Sequence, residues 1–332
     1  MRIAILGAGL IGRKRGLQLG GHALVGIHDP DARRCAALAS ELGTTAFASE
    51  AELLARSDAE IVVVATTNAA LAPAATRAAQ AGKHVLVEKP GAVRLSELDG
   101  LESAARVRRV AVKVGFNHRF HPALLEARRL VDDGALGPLM FMRVRYGHGG
   151  RLGYEQEWRA RPELAGGGEL LDQGVHVLDL IHWFLGPLPF RSALVRTSFW
   201  DMEVDDNAVV TVGEDGKSGR FATFHVSCSE WKNGFGLELY GRVGKLRIEG
   251  LGGSYGKETL TTYRMRPEMG PPDVEVVEFD GPDDSWGRDL SNLVDHVTRG
   301  APLLGSLESA RYALTVVREA YRENGCPVPA AE

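Results

Sequence analysis

The sequence has little of what marks secreted, membrane or nucleic-acid-binding proteins. Its 332 residues include only three cysteines, Cys35, Cys228 and Cys326, with no C-x-x-C spacing, which argues against a disulfide framework or a cysteine zinc site and favours a reducing compartment. The longest uncharged stretch of note, 61–76, contains Thr, Asn and Pro, so no transmembrane helix is expected. The net charge of −4 comes without a polybasic cluster. We expect a cytoplasmic protein with no nucleic-acid or membrane partner.

Glycine, in contrast, is abundant. There are 40 glycines in 332 residues, or 12%, against about 7% in average proteins. The chain is 44% hydrophobic and 25% charged, which suits a globular protein with a sizeable core and excludes wholesale disorder. Its length favours two domains.

The first part of the chain alternates short apolar runs with helical patterns. The apolar runs lie at 2–6, 23–27, 61–65, 85–87 and 110–114, and helical patterns lie between them at 31–42, 70–81 and 96–107. Strands without polar alternation are typical of a parallel sheet that helices cover on both faces. The sequence therefore predicts an α/β doubly wound Rossmann domain over residues 1–118.

The pattern changes from residue 119 onward. A helix (122–133), a strand (139–146), a glycine-rich loop (147–168) and a helix (170–184) precede residues 191–280, which alternate apolar and polar positions. This alternation predicts several antiparallel strands with one covered face. Helices are expected near 286–298 and 307–323, and a frayed tail at 327–332. We assign residues 119–332 to a second α/β domain.

A glycine motif follows the first apolar run. Residues 7–12 match G-x-G-x-x-G. In so glycine-rich a chain, about half a match to this pattern is expected by chance, so the match alone is weak. Its position is informative, because between a strand and a helix the backbone N–H groups can bind a pyrophosphate. The alternative is an ordinary glycine-rich turn. The candidate cofactor-binding residues are Gly7, Ala8, Gly9, Leu10, Ile11 and Gly12.

An acidic residue ends the second apolar run. At Asp29 a carboxylate can accept hydrogen bonds from both ribose hydroxyls of NAD, and it repels the 2′-phosphate of NADP. Arg33 and Arg34 follow and could soften that preference. We expect NAD rather than NADP, with Asp29 and Arg33 near the cofactor. The alternative for Asp29 is a turn or helix-capping acid.

Two further segments carry chemically useful side chains. Glu88, Lys89 and Pro90 follow the fourth strand, where an ammonium could stabilise alkoxide charge; the alternative is a solvated lysine before a turn. Asp172 and His176 are four residues apart, so on an α-helix the acid could orient an imidazole suited to proton transfer. A structural histidine or a metal half-site are the alternatives to this role. We expect no metal.

Taken together, these segments resemble one enzyme family. The glycine motif, the stretch 81–90 ending in Glu-Lys-Pro, Trp158-Arg159, the glycines 166–168 and the D-x-G-x-H of 172–176 occur in this order. Because of these motifs the chain resembles, over essentially its whole length, the glucose–fructose oxidoreductase / inositol dehydrogenase / MocA family of nicotinamide-dependent oxidoreductases.

The resemblance implies an architecture and a set of roles. It implies a Rossmann domain followed by a domain with a large, mostly antiparallel open sheet, which often forms the interface of a homo-oligomer, a dimer or tetramer. It implies that Lys89 binds the substrate oxygen, that His176 is the general base, and that Asp172 contacts substrate and orients His176. It also implies a cis bond before Pro90.

The other candidate residues complete this site. Those expected near the cofactor are Thr66, Thr67, Asn68, Glu88, Lys89, Asn117, Trp158 and Arg159. Those expected to bind substrate are Lys89, Arg119, Tyr154, Trp158, Asp172 and His176. Thr67-Asn68-Ala69-Ala70-Leu71 departs from the family's P-N-x-x-H, and the loop 147–165 is individual, so we expect substrate selectivity partly in that loop.

The expected activity is hydride transfer between NAD and a secondary alcohol of a sugar, an inositol or a nucleotide sugar. One alternative is an NAD-recycling enzyme that uses transient oxidation for epimerisation or glycoside elimination. An alternative of another class is a non-catalytic regulatory protein that senses a dinucleotide. The residues do not distinguish between the substrates.

Overall fold

The computed structural model describes residues 1–326, and its first part is built on a five-stranded parallel sheet. The strand order is β2–β1–β3–β4–β5, which confirms the predicted doubly wound Rossmann arrangement. The strands are β1 (Arg2–Leu6), β2 (Ala23–His28), β3 (Ile61–Val64), β4 (His84–Glu88) and β5 (Val112–Gly115). The accompanying helices are α1 (Leu10–Leu17), α2 (Ala32–Leu42), α3 (Glu50–Arg56), α4 (Asn68–Gln80) and α5 (Leu95–Arg108).

These strands are apolar along their whole length because helices cover both faces of the sheet. All four residues of β3 have no exposed surface, and the same holds for Ile3, Ile5 and Leu86. A strand buried on both faces gains nothing from polar alternation, which explains why the five apolar runs mark the five strands. Each strand points its carboxyl end at the same edge of the sheet.

The second part contains an eight-stranded sheet of order β13–β12–β11–β10–β6–β9–β8–β7. Within the described residues only the β6–β9 pair of this sheet is parallel, so the expected mostly antiparallel sheet is confirmed. The strands are β6 (Leu139–Gly147), β7 (Phe190–Arg196), β8 (Asn207–Gly213), β9 (Phe221–Ser227), β10 (Gly234–Gly241), β11 (Gly244–Glu249), β12 (Glu258–Arg264) and β13 (Asp273–Phe279). The helices are α6 (Pro122–Asp132), α7 (Pro162–Ala165), α8 (Val175–Leu185), α9 (Ser285–Arg299) and α10 (Leu307–Glu323).

The two faces of this sheet differ. On one face Met142, Val144 and Phe224 join the core that includes α8 and α10. The opposite face carries alternate residues, including Phe221 and Val209, which are 42% and 44% exposed. The alternation seen in the sequence reflects this one-sided burial.

Helix α9 returns to the first sheet. Its Leu290 and Leu293 are buried against Ile3 and Ile5 of β1. Because of this packing, the beginning of α9 lies beside α1, where the side-chain amide of Gln18 donates to the carbonyl of Asp283. The last part of the chain therefore packs against the first sheet and the end of α1.

Two details depart from the predicted elements. The helix expected at 170–184 begins with a π-helical turn, Leu170–Gly174, before α8, and the loop after β6 contains short 3₁₀ turns and α7. The frayed tail expected at 327–332 lies outside the described residues. Within residues 1–326 the cysteines are free thiols, and no helix is both long and apolar enough to cross a bilayer.

Candidate active site

The glycine motif forms a tight turn between β1 and α1. Gly7 has a φ of +106° and donates its N–H to the carbonyl of His28, and a Cβ at Gly12 would lie 1.9 Å from the Gly7 carbonyl oxygen. Around Gly9, by contrast, a Cβ would meet no atom within 4 Å, and the first turn of α1 contains no acidic residue. The N–H groups at the start of α1 therefore face open space, and this cradle fits the pyrophosphate of a dinucleotide.

Asp29 lies against this turn at the end of β2. One carboxylate oxygen accepts the N–H of Ala8 at 2.7 Å, and the other accepts the N–H of Asp31 at 2.8 Å and an N–H of Arg34 at 3.1 Å. Arg34 is therefore the arginine that contacts this acid, and Arg33 remains a predicted cofactor neighbour. Asp29 is thus a turn-forming residue. Its carboxylate also lies beside the glycine motif, at the position where the ribose of a bound dinucleotide would lie.

A cavity of about 250 Å³ lies between the two parts of the chain and collects most of the predicted residues. The predicted residues that line it are Leu10, Ile11, Thr66, Asn68, Glu88, Lys89, Asn117, Trp158, Arg159, Asp172 and His176. Lys89 comes from the end of β4 and His176 from α8, so the amine and the imidazole of the two motifs share one cavity. Thr67 is not in the lining and instead precedes α4 as its N-cap residue.

Lys89, Asp172 and Arg159 form an ion-pair cluster inside this cavity. The Lys89 ammonium contacts the Asp172 carboxylate and donates to its backbone carbonyl at 2.6 Å, and Arg159 Nε donates to the other carboxylate oxygen at 3.2 Å. Burial alone would raise the pKa of Asp172, but the two cations outweigh it and hold that pKa well below its usual range. The Lys89–Pro90 peptide is cis, as expected.

The Glu88 side chain is anchored in a buried charge network behind Lys89. It accepts Arg15 Nε at 2.7 Å, and Arg15 also pairs with Asp289 of α9, which in turn pairs with Lys113 of β5. Burial raises the pKa of Glu88 despite the opposing charge of Arg15. Through these ion pairs the end of β4, which carries Lys89, is linked to α1, β5 and α9.

The structure corrects the expected contact between Asp172 and His176. Asp172 is committed to Lys89 and Arg159, and His176 Nδ1 is buried without a hydrogen-bond partner. The physical reason is electrostatic, because the Lys89 ammonium and the Arg159 guanidinium both pair with the carboxylate, and a neutral imidazole competes poorly with two cations. Asp172 therefore contacts the amine and not the imidazole.

Burial lowers the pKa of His176 well below the ordinary 6.5, and the nearby Lys89 ammonium lowers it further. The side chain is only 4% exposed and lies among aromatic rings, Phe116 and Tyr146 edge-on and His118 stacked. Near neutral pH the imidazole is accordingly uncharged and able to accept a proton.

Two predicted substrate-binding residues, Arg119 and Tyr154, are not in the lining of this cavity. Arg119 is buried and donates two hydrogen bonds to Asp179, at 2.6 and 2.7 Å. It belongs to the 3₁₀ turn Asn117–Phe120, whose successive residues point about 120° apart. Tyr154 is 6% exposed, packs against Trp200, and lines a small adjoining pocket that also includes Arg159 and Asp172.

Several cavity residues were missed. His118 and His121 come from the segment after β5. Tyr146 comes from β6, Tyr255 from the loop after β11, and Trp286 from α9. The sequence did contain a sign of the two histidines, because they follow a strand and therefore lie at the same carboxyl edge of the sheet as Lys89. Among the described residues no three His, Cys, Asp or Glu side chains are grouped as metal ligands.

Comparison with known families finds two matches along the chain. Residues 1–116 match a model described as an oxidoreductase family with an NAD-binding Rossmann fold, and residues 124–247 match the GFO/IDH/MocA C-terminal domain. The two models together cover most of the sequence. Each falls on one of the two sheets described above.

Individual relatives agree with this. The chain is 29% identical to inositol 2-dehydrogenase 2 of Saccharopolyspora erythraea over 64% of its length and 66% of the relative's, and 31% identical to 1,5-anhydro-D-fructose reductase of Ensifer adhaerens over 74% of both. The aligned regions span 66%, 36% and 56% of the lengths of the first three curated relatives. The crystal structure of GenD2 from gentamicin A biosynthesis in complex with NAD is similar, with 26% identity, a TM-score of 0.82 and coverage of 98% of this chain and 94% of GenD2.

Proposed function

The chain belongs to the GFO/IDH/MocA family of oxidoreductases, and from this premise we propose that it transfers a hydride between NAD and a secondary alcohol of a sugar or inositol. One observation carries the proposal. The glycine-motif residues Leu10 and Ile11, the Lys89 amine and the His176 imidazole all line a single cavity. A dinucleotide held by the first sheet and an alcohol held by the second can therefore meet there.

The polar groups of the cavity divide the chemistry between them. When bound, NAD supplies the hydride acceptor. His176, neutral and buried, accepts the hydroxyl proton of the alcohol. The Lys89 ammonium donates a hydrogen bond to the same oxygen and stabilises the negative charge that develops on it. In the reverse direction the same two groups polarise a carbonyl and return the proton.

Asp172 keeps Lys89 in place for this role. Its carboxylate accepts from the ammonium while Arg159 holds its second oxygen, so the cluster carries one net positive charge in the cavity. A positive charge beside the reacting oxygen favours the alkoxide-like transition state over the neutral alcohol.

The cationic side chains near the cavity also bear on the substrate. Arg119 is occupied by Asp179, and Arg159 is occupied by Asp172, so neither is free to bind a second pyrophosphate. The names of the curated relatives include an inositol dehydrogenase and an anhydrofructose reductase. These observations support an uncharged polyol or sugar over a nucleotide sugar.

Absorbance at 340 nm tests the activity. The protein is mixed with NAD and a panel of inositols, hexoses and nucleotide sugars, and keto-sugars are tested with NADH in the reverse direction. We expect NADH to accumulate with an uncharged polyol or sugar. Substrate turnover without NADH accumulation would instead identify an NAD-recycling enzyme, and NAD binding without turnover of any compound would favour a regulatory protein.

Asp29 is proposed to select NAD over NADP. Replacing Asp29 with Ser removes the charge that would repel a 2′-phosphate and frees Arg34, 3.1 Å away, to pair with one. We expect the ratio of kcat/KM for NADP to that for NAD to rise by about 10- to 100-fold, the range of one charged contact. Steady-state kinetics with both cofactors measures this. The matched control is Asp58→Ser, on the surface near Arg2, and an unchanged ratio in Asp29→Ser would remove the acid from cofactor selection.

We also propose that the exposed face of the large sheet forms a homo-oligomer interface. Phe141 stacks on Phe221 and Tyr240 there, with ring centroids 5.0 and 4.1 Å apart. A partly exposed aromatic row on a broad sheet is typical of protein interfaces. Phe221→Glu is expected to reduce the mass found by light scattering to the 35.9 kDa of one chain, whereas the control Val107→Glu, on the exposed face of α5, leaves it unchanged. A monomeric unaltered protein would contradict the proposal.

A further inference from the structure

His118 and His176 form a stacked pair at the centre of the site. Their ring centroids are 3.8 Å apart and the ring planes are inclined by 24°. The two side chains are 7% and 4% exposed, and both rings line the same cavity. His118 comes from the segment after β5 and His176 from α8, so the stack joins the two halves of the molecule.

Within residues 1–326, no acidic side chain hydrogen-bonds either ring. His176 Nδ1 and His118 Nε2 are both buried without a hydrogen-bond partner, and the other nitrogen of His118 lies 3.4 Å from the amide oxygen of Asn117. A histidine that acts as a base is commonly oriented by a carboxylate on its second nitrogen. Here the carboxylate one turn away is occupied, so another contact must fix the ring.

We propose that His118 is the positioning residue for His176, and that it acts by stacking rather than by hydrogen bonding. A flat ring 3.8 Å away leaves no room for the imidazole to rotate out of its plane. Edge contacts from Phe116 and Tyr146, with ring centroids at 6.1 and 6.4 Å, add to this restraint and leave the side that faces the cavity open. The stack thus performs the orienting role that a carboxylate would otherwise have.

The stack also keeps water away from His176. The charged and titratable groups around the pair are Arg15, Glu88 and Lys89 from the first part of the chain, Arg159 and Asp172, then His121 with its partner Glu258, and Tyr146 and Tyr255. Burial is the largest cause of the lowered pKa of His176, and Lys89 and His121 act in the same direction. Removing the His118 ring admits water, so the pKa of His176 rises toward 6.5.

Three substitutions separate the ring from its nitrogens. His118→Ala removes both, His118→Asn keeps a polar group beside Asn117 without a ring, and His118→Phe keeps a ring without nitrogen. The inference rests on the proposed role of His176, so His176→Asn is assayed beside them. NADH fluorescence titration and thermal unfolding establish that each variant is folded and binds cofactor.

We expect His118→Ala and His118→Asn to lower kcat of alcohol oxidation about 10- to 100-fold, the cost of misplacing a reacting group by about 1 Å. Affinity for NADH should be unchanged. The acidic limb of the kcat/KM profile should move to higher pH in both, because oxidation requires neutral His176. His118→Phe should recover at least about tenfold of the lost turnover and keep the acidic limb where it is in the unaltered protein.

Two results would overturn the inference. If His118→Phe is as impaired as His118→Ala while His118→Asn is active, a nitrogen of His118 matters and stacking does not. If all folded variants behave as the unaltered protein while His176→Asn is inactive, the ring has no positioning role. An active His176→Asn would instead reject the proposed function itself.

Discussion

Replacing Lys89 with alanine is expected to lower kcat about 10³-fold while leaving NADH affinity nearly unchanged. The expected loss is at the upper end of what removal of one preorganised hydrogen-bond donor to a developing oxyanion costs, because Lys89 also carries the charge. Cofactor binding survives because the glycine turn and Asp29 do not depend on this side chain. Stopped-flow or steady-state NADH formation gives kcat, and fluorescence titration gives NADH affinity.

A matched lysine provides the control for this variant. Lys217 lies on the exposed turn between β8 and β9, outside the cavity, and Lys217→Ala should keep full turnover. Unchanged kcat in Lys89→Ala would remove the lysine from the mechanism. A loss of NADH binding equal to the loss of turnover would place Lys89 in cofactor binding only.

The second large effect is expected for His176→Asn. Loss of a positioned base typically costs 10²- to 10⁴-fold, so kcat of oxidation should fall by about that amount. The pH profile gives a separate signature. The folded-state pKa of His176 is lowered, so its neutral form persists below pH 6.5 and oxidation declines only when the pH falls through that lowered pKa. His176→Asn should abolish this acidic limb, and reduction, which needs the protonated form, should show the opposite dependence.

His182→Asn is the control for this second variant. His182 is on the same helix, α8, but it contacts Ser309 and Tyr312 and does not line the cavity. It should retain both turnover and the acidic limb.

In the double variant Lys89→Ala/His176→Asn, the combined loss of kcat should be much smaller than the product of the two single losses. Groups that act on one reacting oxygen lose most of their effect when either is missing. Losses that simply multiply would place the two residues in independent steps.

The parts that the sequence predicted correctly depend on local rules. The strands of the first sheet follow from apolar runs that both faces bury, and the glycine turn follows from a spacing that only glycine allows at Gly7 and Gly12. Lys89 was expected at the carboxyl edge of the sheet because it follows a strand, and it lies there because all parallel strands end at the same edge. These inferences required no knowledge of long-range packing.

What the sequence did not reveal depends on contacts between distant segments. Arg119 hydrogen-bonds to Asp179, which is 60 residues away, and to Ser309, which is 190 residues away, so these contacts could not be inferred from its sequence neighbours. Trp286 enters the cavity only because α9 packs back on β1. Asp172 likewise pairs with Lys89, which is 83 residues away, and with Arg159, so its spacing to His176 could not reveal which group it contacts.

The most direct test is a crystal structure of the protein with NADH and the polyol or sugar that gives the highest turnover in the substrate panel. We expect one oxygen of that compound to lie within about 2.6–3.2 Å of both Lys89 Nζ and a ring nitrogen of His176, with its carbon facing the nicotinamide. A compound bound with its oxygen near only one of these groups, or away from the nicotinamide, would contradict a shared catalytic site.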